Sequence, residues 1–258
     1  SVAVAMSCSL VQRGALPLLP EAVRTRSALT CGADLVFALP APCACAGAEA
    51  FARAGVALLA AAGCDGLVFG AETPDAALLM EAAELLDSGS YRAALKAQLA
   101  GGARSFAAAR QAAAAQLASD ERVAALLDKP NNNLAVEYCR AIRSLAPRME
   151  AYPLPRQGAD HGEALHSAHG QFASASALRK LWAEGGADAV APYVPEAVFP
   201  LYQEAYAAGQ YTDFSAAGRC ELALLRSACR DKAPFADIRG VSEGLEHRLE
   251  AAVRTSTT

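Results

Sequence analysis

The chain has 258 residues, enough for one large domain or two modest ones. Hydrophobic residues make up 53% and charged residues 19%, a balance that excludes a disordered, collagenous or coiled-coil protein. The formal net charge of −4 excludes a generally basic nucleic-acid binder, so contact with RNA would have to come from a local basic face. Ala dominates the composition, so Ala-rich helices here carry little information beyond their propensity.

Eight cysteines (Cys8, Cys31, Cys43, Cys45, Cys64, Cys139, Cys220 and Cys229) form no CxxC pair, and most lie in apolar runs. Free thiols in a reducing cytosol fit this pattern better than a zinc ribbon or a redox dithiol, so a cytoplasmic protein is expected. No apolar run approaches the roughly 20 residues a bilayer span needs, because Asp65 interrupts the longest candidate. No membrane association and no DNA partner are expected. The first residues, SVAVAM, already read as a buried strand without a preceding cap or turn, so an internal piece of a longer protein is expected.

In chain order, Val2–Met6, Asp34–Leu39 and Gly66–Phe69 are short continuous apolar runs. The intervening segments Pro20–Cys31 and Ala48–Ala62 have helical spacing, and Gly32 and Gly63 follow them where a positive φ closes a helix. This order predicts an α/β fold with a Rossmann-like parallel sheet, its three strands adjacent and buried on both faces. From Pro74 to Leu127 the pattern is helical throughout: Ala76–Leu86, Tyr91–Leu99 and Ser105–Leu117, divided at Ser-Gly and Gly-Gly breaks. Asn131–Leu145 is a further helix opened by Pro130, and Met149–Leu154 is a further strand. Residues 157–172 read as a polar loop, Ser174–Glu184 as a helix, and the chain beyond Pro195 as helical. The expected division is an α/β domain over 1–190, with a helical insertion at about 74–127, and a smaller helical part over 191–258.

Five segments carry candidate chemistry. In FASASALRKL (172–181), Ser174 and Ser176 open a helix and Arg179 lies one turn inside it. Free N–H groups, two hydroxyls and a guanidinium make an anion site suited to phosphate; the plain alternative is a Ser N-cap with a surface Arg. KPNNNLAVEY (129–138) offers amides to a base or ribose, or merely caps a helix. DGLVFGAE (65–72) places Gly70 and Glu72 at the carboxyl end of a strand, the edge where parallel sheets bind ligands. Lys129, Arg140, Arg143, Arg148 and Arg156 either track a polyphosphate or RNA backbone or form a solvated face. The last, DHGEALHSAHG (160–170), clusters His161, His166 and His169 without zinc spacing, so no metal site is expected. Walker, GxGxxG, GxSxG and HExxH motifs are absent.

Taken together, these pieces resemble the bacterial tRNA(Met) cytidine acetate ligases, within the HIGH-type nucleotidylyltransferase superfamily. MSCSLVQRG (6–14) resembles that family's MSGxFVQRG, CGADLVFALP (31–40) its GxDLVIELP, and AEAFARAGVALL (48–59) its AExFAxGAVxLL. FGAE (69–72) is similar to FGSE, PNNNLAVEY (130–138) to PNxxLxxEY, SASALR (174–179) to SATxIR, and VSEGLEHRL (241–249) to the EGLExR segment. The matches are collinear.

The resemblance implies that ATP and acetate form acetyl-adenylate, with acetyl passing to N4 of the wobble cytidine of elongator tRNA(Met). It implies ATP as substrate with Mg2+, ATP contacts at Gly70, Asn131, Arg156 and Gln157, and phosphate-side catalytic roles for Ser174, Ser176 and Arg179. The family's HxGH segment precedes the counterpart of Ser1, Cys8-Ser9 replaces its Gly-Asn, and its C-terminal basic segment has no counterpart here. Weak or no catalysis is therefore expected from these residues alone. Two other readings are a different small-substrate nucleotidylyltransferase and a non-catalytic RNA-binding protein on the same scaffold. The insertion at 74–127 and the EGLEHRL segment argue against a compact nucleotidylyltransferase.

Overall fold

The computed structural model describes residues 1–102, 105–156, 173–231, 235, 237–238, 241 and 244–257. The first unit is β1 (Ala3–Ser7), α1 (Glu21–Thr30) and β2 (Leu35–Leu39), a β–α–β crossover in which β1 and β2 pair in parallel from Ala3–Leu35 to Ser7–Leu39. After a short α2 (Ala41–Ala44), α3 (Ala48–Ala61) leads to β3 (Gly66–Ala71). The helical segment then runs as α4 (Ala76–Asp87), α5 (Gly89–Ala100), α6 (Phe106–Leu117) and α7 (Glu121–Leu126). Its breaks fall where capping side chains stand. Asp75 accepts from Leu78 N–H at 3.0 Å, Ser88 from Tyr91 N–H at 3.1 Å and Ser105 from Ala108 N–H at 3.2 Å. Next, α8 (Pro130–Leu145) feeds β4 (Glu150–Pro155), which pairs in parallel with β3 from Gly66–Glu150 to Ala71–Pro155. Among the described residues, the helices that follow are α9 (Ala175–Val190), α10 (Phe199–Ala207), α11 (Phe214–Asp231) and α12 (Leu245–Thr255).

The fold class is thus the expected α/β arrangement with parallel strands and a helical insertion, but strand adjacency differs from expectation. Among the described residues the strands form two separate two-stranded ladders, β1–β2 and β3–β4, so Gly66–Phe69 is not a ladder neighbour of the first two strands. The pairs face one cavity of about 660 Å3, lined by Ala3, Val4 and Ala5 on one side and Gly66, Leu67 and Val68 on the other. Burial also departs from expectation. Leu67, Phe69 and Ala71 are buried, whereas Val68 between them is 61% exposed, because described helices cover only one face of β3. An apolar run reveals affinity for a core without revealing which strand lies beside it.

The main core gathers Val56 and Leu59 of α3, Phe69 of β3, Leu79 of α4 and Val136 and Ile142 of α8. A second cluster joins Leu19 and Val23 to Trp182, Val190 and Ala205, so side chains from α1, α9 and α10 pack together across residue 190. Gly32 and Gly63 do take positive φ, 100° and 82°, just past α1 and α3. Among the described residues, no helix is long and apolar enough to cross a membrane.

Candidate nucleotide site at the carboxyl edge

The β3–β4 ladder ends at Ala71 and Pro155, and Arg156 N–H still donates to the Ala71 carbonyl at 3.0 Å. This carries the Arg156 side chain past the sheet edge, over Gly70. A Cβ at residue 70 would lie 3.3 Å from Arg156 Cγ, so the glycine leaves room for the arginine stem to cross the strand end. Arg156 Nη1 then donates to Asn131 Oδ1 at 2.9 Å.

Asn131 belongs to the first turn of α8, whose N-cap, Lys129, makes no side-chain cap bond. The missing cap comes from Glu72, just beyond β3. Its Oε1 accepts from Asn131 N–H at 3.2 Å and Asn131 Nδ2 at 2.6 Å, and its Oε2 accepts from Asn132 N–H at 2.6 Å. Burial raises the pKa of this carboxyl, but the hydrogen bonds from Asn131 and Asn132 outweigh it and hold Glu72 below the usual carboxylate range. Asn132 Oδ1 accepts from Thr73 N–H at 2.9 Å, and its Nδ2 donates to Thr73 Oγ1 at 3.1 Å. Asn133 Nδ2 donates to the carbonyls of Leu127 and Lys129. Of the three consecutive asparagines, then, Asn132 and Asn133 serve the local fold, and only Asn131 stands between a carboxylate and the Arg156 guanidinium.

Glu72 was legible as a residue at the strand end, but its role as the cap of a helix 59 residues away was not. Gln157 and the His161–His169 cluster lie outside the described residues. The five basic residues of 129–156 do not form one track. Arg140 is paired with Glu137 and Asp87, Arg143 with Glu84, and Lys129 and Arg148 lie beyond opposite ends of a 16-residue helix, about 24 Å long.

The second group of predicted site residues sits on α9. Ser174 is its N-cap, accepting from Ala177 N–H at 3.2 Å, and Ser176 Oγ lies 3.1 Å from Ser174 Oγ. The Ser174 hydroxyl therefore does what an ordinary cap does. Arg179 lines a cavity of about 240 Å3 with Trp182, Tyr202 and Arg24. Arg24, which sequence reasoning missed, donates through Nη1 to the Ser7 carbonyl at 2.7 Å, through Nε to the Leu19 carbonyl at 3.0 Å, and through Nη2 to the Cys8 carbonyl. It ties α1 to the carboxyl end of β1, and lines the cavity that Arg179 also lines. Among the described residues no hydrogen bond or ion pair joins Ser174, Ser176 or Arg179 to Gly70, Asn131 or Arg156.

The donor set does not fit a protein-held Mg2+. That ion takes carboxylate oxygens beside phosphate, and both oxygens of Glu72 already accept N–H donors. Nor do the described residues bring three or more His, Cys, Asp or Glu together.

Comparison with known proteins agrees with this architecture. The tRNA(Met) cytidine acetate ligase of Syntrophotalea carbinolica is 36% identical over 258 residues, covering 99% of this chain and 60% of that protein. The protein of the same name from Caldanaerobacter subterraneus subsp. tengcongensis is 33% identical, covering 97% and 62%. Crystal structures of Thermotoga maritima TmcAL superpose with a TM-score of 0.85 for the apo form, at 29% identity and 99% and 61% coverage. For the form bound with alpha-thio ATP the values are 0.82, 28%, 99% and 60%. The chain thus spans about 60% of the length of these relatives. The profile of the HIGH Nucleotidyl Transferase family matches residues 1–258, and the chain belongs to that family.

Proposed function

We propose that this chain forms the nucleotide-binding part of an ATP-dependent ligase that acetylates N4 of the wobble cytidine of elongator tRNA(Met). The observation that carries the proposal is the hydrogen-bonded series Arg156–Asn131–Glu72 at the carboxyl edge of a parallel sheet, where open α/β sheets take nucleotides. Support comes from relatives named for this activity and from the ATP analogue bound by a structural relative.

An acetate oxygen attacks the α-phosphorus of ATP, the α–β phosphoanhydride bond breaks, and pyrophosphate leaves. The cytidine N4 then attacks the acetyl carbon, the acyl C–O bond breaks, and AMP and a proton are released. Neither step needs a covalent enzyme intermediate. The protein's task is to orient the reactants and to offset charge on the leaving group. Asn131, the one hydrogen-bond partner of the Arg156 side chain among the described residues, holds its guanidinium by one Nη1–H, and the guanidinium's remaining donors suit nucleotide. Ser176 and Arg179, with the N–H groups of the first turn of α9, supply the pyrophosphate side. Mg2+ would arrive on the phosphates of ATP, and a tRNA-acting enzyme of this kind works in the cytoplasm.

With the family's HxGH segment joined ahead of residue 1, acetate-dependent exchange of pyrophosphate into ATP, with ATP affinity measured separately, tests the assignment. Arg179→Lys keeps the charge and loses the planar fork, so exchange should fall by the equivalent of about 2–4 kcal/mol while the fold is unchanged. Arg156→Ala should weaken ATP binding by about tenfold or more. Unaltered exchange in both Arg179→Lys and Arg179→Ala, or ATP binding indifferent to Arg156→Ala, overturns it.

A further inference from the structure

Away from the sheet edge, α3, α5, α6 and α8 enclose a cavity of about 550 Å3, within the size range of small-ligand sites. Four arginines line it (Arg53, Arg92, Arg110 and Arg140), together with Tyr91 and Phe106. Two of the arginines are fixed by a buried carboxylate. Glu137, only 3% exposed, receives Arg110 Nη2 at 2.6 Å and Arg140 Nη1 at 2.7 Å, and Arg140 Nε reaches Asp87 at 2.8 Å. Each guanidinium has five N–H donors, so this clamp immobilises both groups and leaves donors over. The other two are exposed. Arg53 makes one hydrogen bond, to Ser144 Oγ, and neither Arg53 nor Arg92 pairs with a carboxylate among the described residues. The remaining acid in the lining, Glu49, lies 3.9 Å from Arg140.

Phe106 is the anomaly. It opens α6, whose buried face is Ala109, Ala113 and Ala114, and it is 60% exposed. The fold gains little from a phenyl ring there. A large exposed aromatic lining the same cavity as two guanidinium groups that have no carboxylate partner among the described residues suits an anion carrying a planar apolar body.

We infer that this cavity takes one unstacked nucleotide of an RNA strand, its base on Phe106 and its flanking phosphates on Arg53 and Arg92. An acidic peptide would use the arginines but not the exposed ring, so indifference to Phe106 separates the two. The inference rests on the proposed function only in taking tRNA as the source of the strand. Acetate-dependent exchange does not enter it.

The test is binding of an elongator tRNA(Met) transcript by fluorescence anisotropy across a salt series, with polyglutamate as the acidic-peptide control. Phe106→Ala should weaken tRNA binding about 5- to 100-fold without changing the salt slope, and Phe106→Tyr should restore it. Arg53→Ala and Arg92→Ala should each reduce the slope of log K against log salt by about 0.7–0.9. Arg122→Ala, on an exposed pair with Asp120 outside the cavity, should change neither. Arg53, Arg92 and Phe106 are all exposed, and urea midpoints equal to wild type confirm that their variants fold. Equal tRNA binding by wild type and all three cavity variants overturns the inference, as does polyglutamate binding that matches tRNA binding and ignores Phe106. Absence of tRNA binding while exchange persists overturns it and leaves the adenylation reading standing. Cavity-dependent binding with no exchange does the reverse.

Discussion

At the scale of single residues, Gly186 shows how a backbone requirement hides inside an apparent helix. It lies within α9 with φ 68° and ψ −156°, a region open to little but glycine, and a Cβ there would stand 2.6 Å from Tyr206 Cζ. Gly186→Ala should cost about 2–4 kcal/mol, the sum of backbone strain and overpacking, read as a lower urea midpoint with unchanged slope. Glu72 is a second such residue. Its pKa is held below the ordinary value, so its stabilisation is complete above the unfolded carboxyl's pKa and is lost as pH falls through the depressed folded value. Glu72→Gln should therefore lower stability at neutral pH by about 1–2 kcal/mol, and the gap to wild type should close in acid. Urea unfolding at pH 7 and at pH 3 checks this. An equal gap at both pH values would mean that the carboxylate charge is not what holds the α8 terminus.

Between elements, Glu137 is the joint. It sits on the buried face of α8 and binds Arg110 of α6 and Arg140 of its own helix, so it ties the inserted helices to the helix that carries Asn131. Glu137→Ala should cost about 3–5 kcal/mol, because it leaves Arg110, 18% exposed, without its carboxylate. Glu137→Ala combined with Arg110→Leu should recover part of that loss, since removing both charges avoids an unpaired buried ion. A double variant no more stable than the single one would show that packing, and not charge, carries the joint. The alanines of α6 have no such reach. Their small buried face allows close approach of helices but fixes no register, and the ion pairs supply that.

For the whole molecule, a thiol provides a reporter of core opening. Cys139 is fully buried in the main core, and burial pushes its pKa up to about 12. Cys31 and Cys220 are exposed. A thiol reagent at pH 8 should modify Cys31 and Cys220 promptly and Cys139 only as fast as the main core unfolds. Mass spectrometry of the labelled peptides against time makes the check. Prompt labelling of Cys139 would mean that the α3–α8 core opens locally. The second cluster around Trp182 holds no part of this reporter, so its opening is read instead through Trp182, which packs edge-on to Tyr202, Tyr206 and Tyr211.

The sequence by itself determined the elements and the family. Helical spacing located α1, α3, α4 and α8 to within a residue or two, Gly32 and Gly63 marked helix ends, and seven collinear motifs pointed to nucleotidylyl transfer. These signals are local, set by side-chain period, capping and backbone freedom, and a linear string records them. Tertiary structure alone decided which strands pair, because adjacency depends on crossovers that an apolar run does not encode. It alone joined Glu72 to the terminus of α8, and set Arg24 between β1 and the Arg179 cavity. It also separated three identical asparagines into two structural residues and one facing Arg156. Hydrogen-bond partners lie wherever folding brings a donor within about 3 Å of an acceptor, and sequence separation carries no trace of that distance.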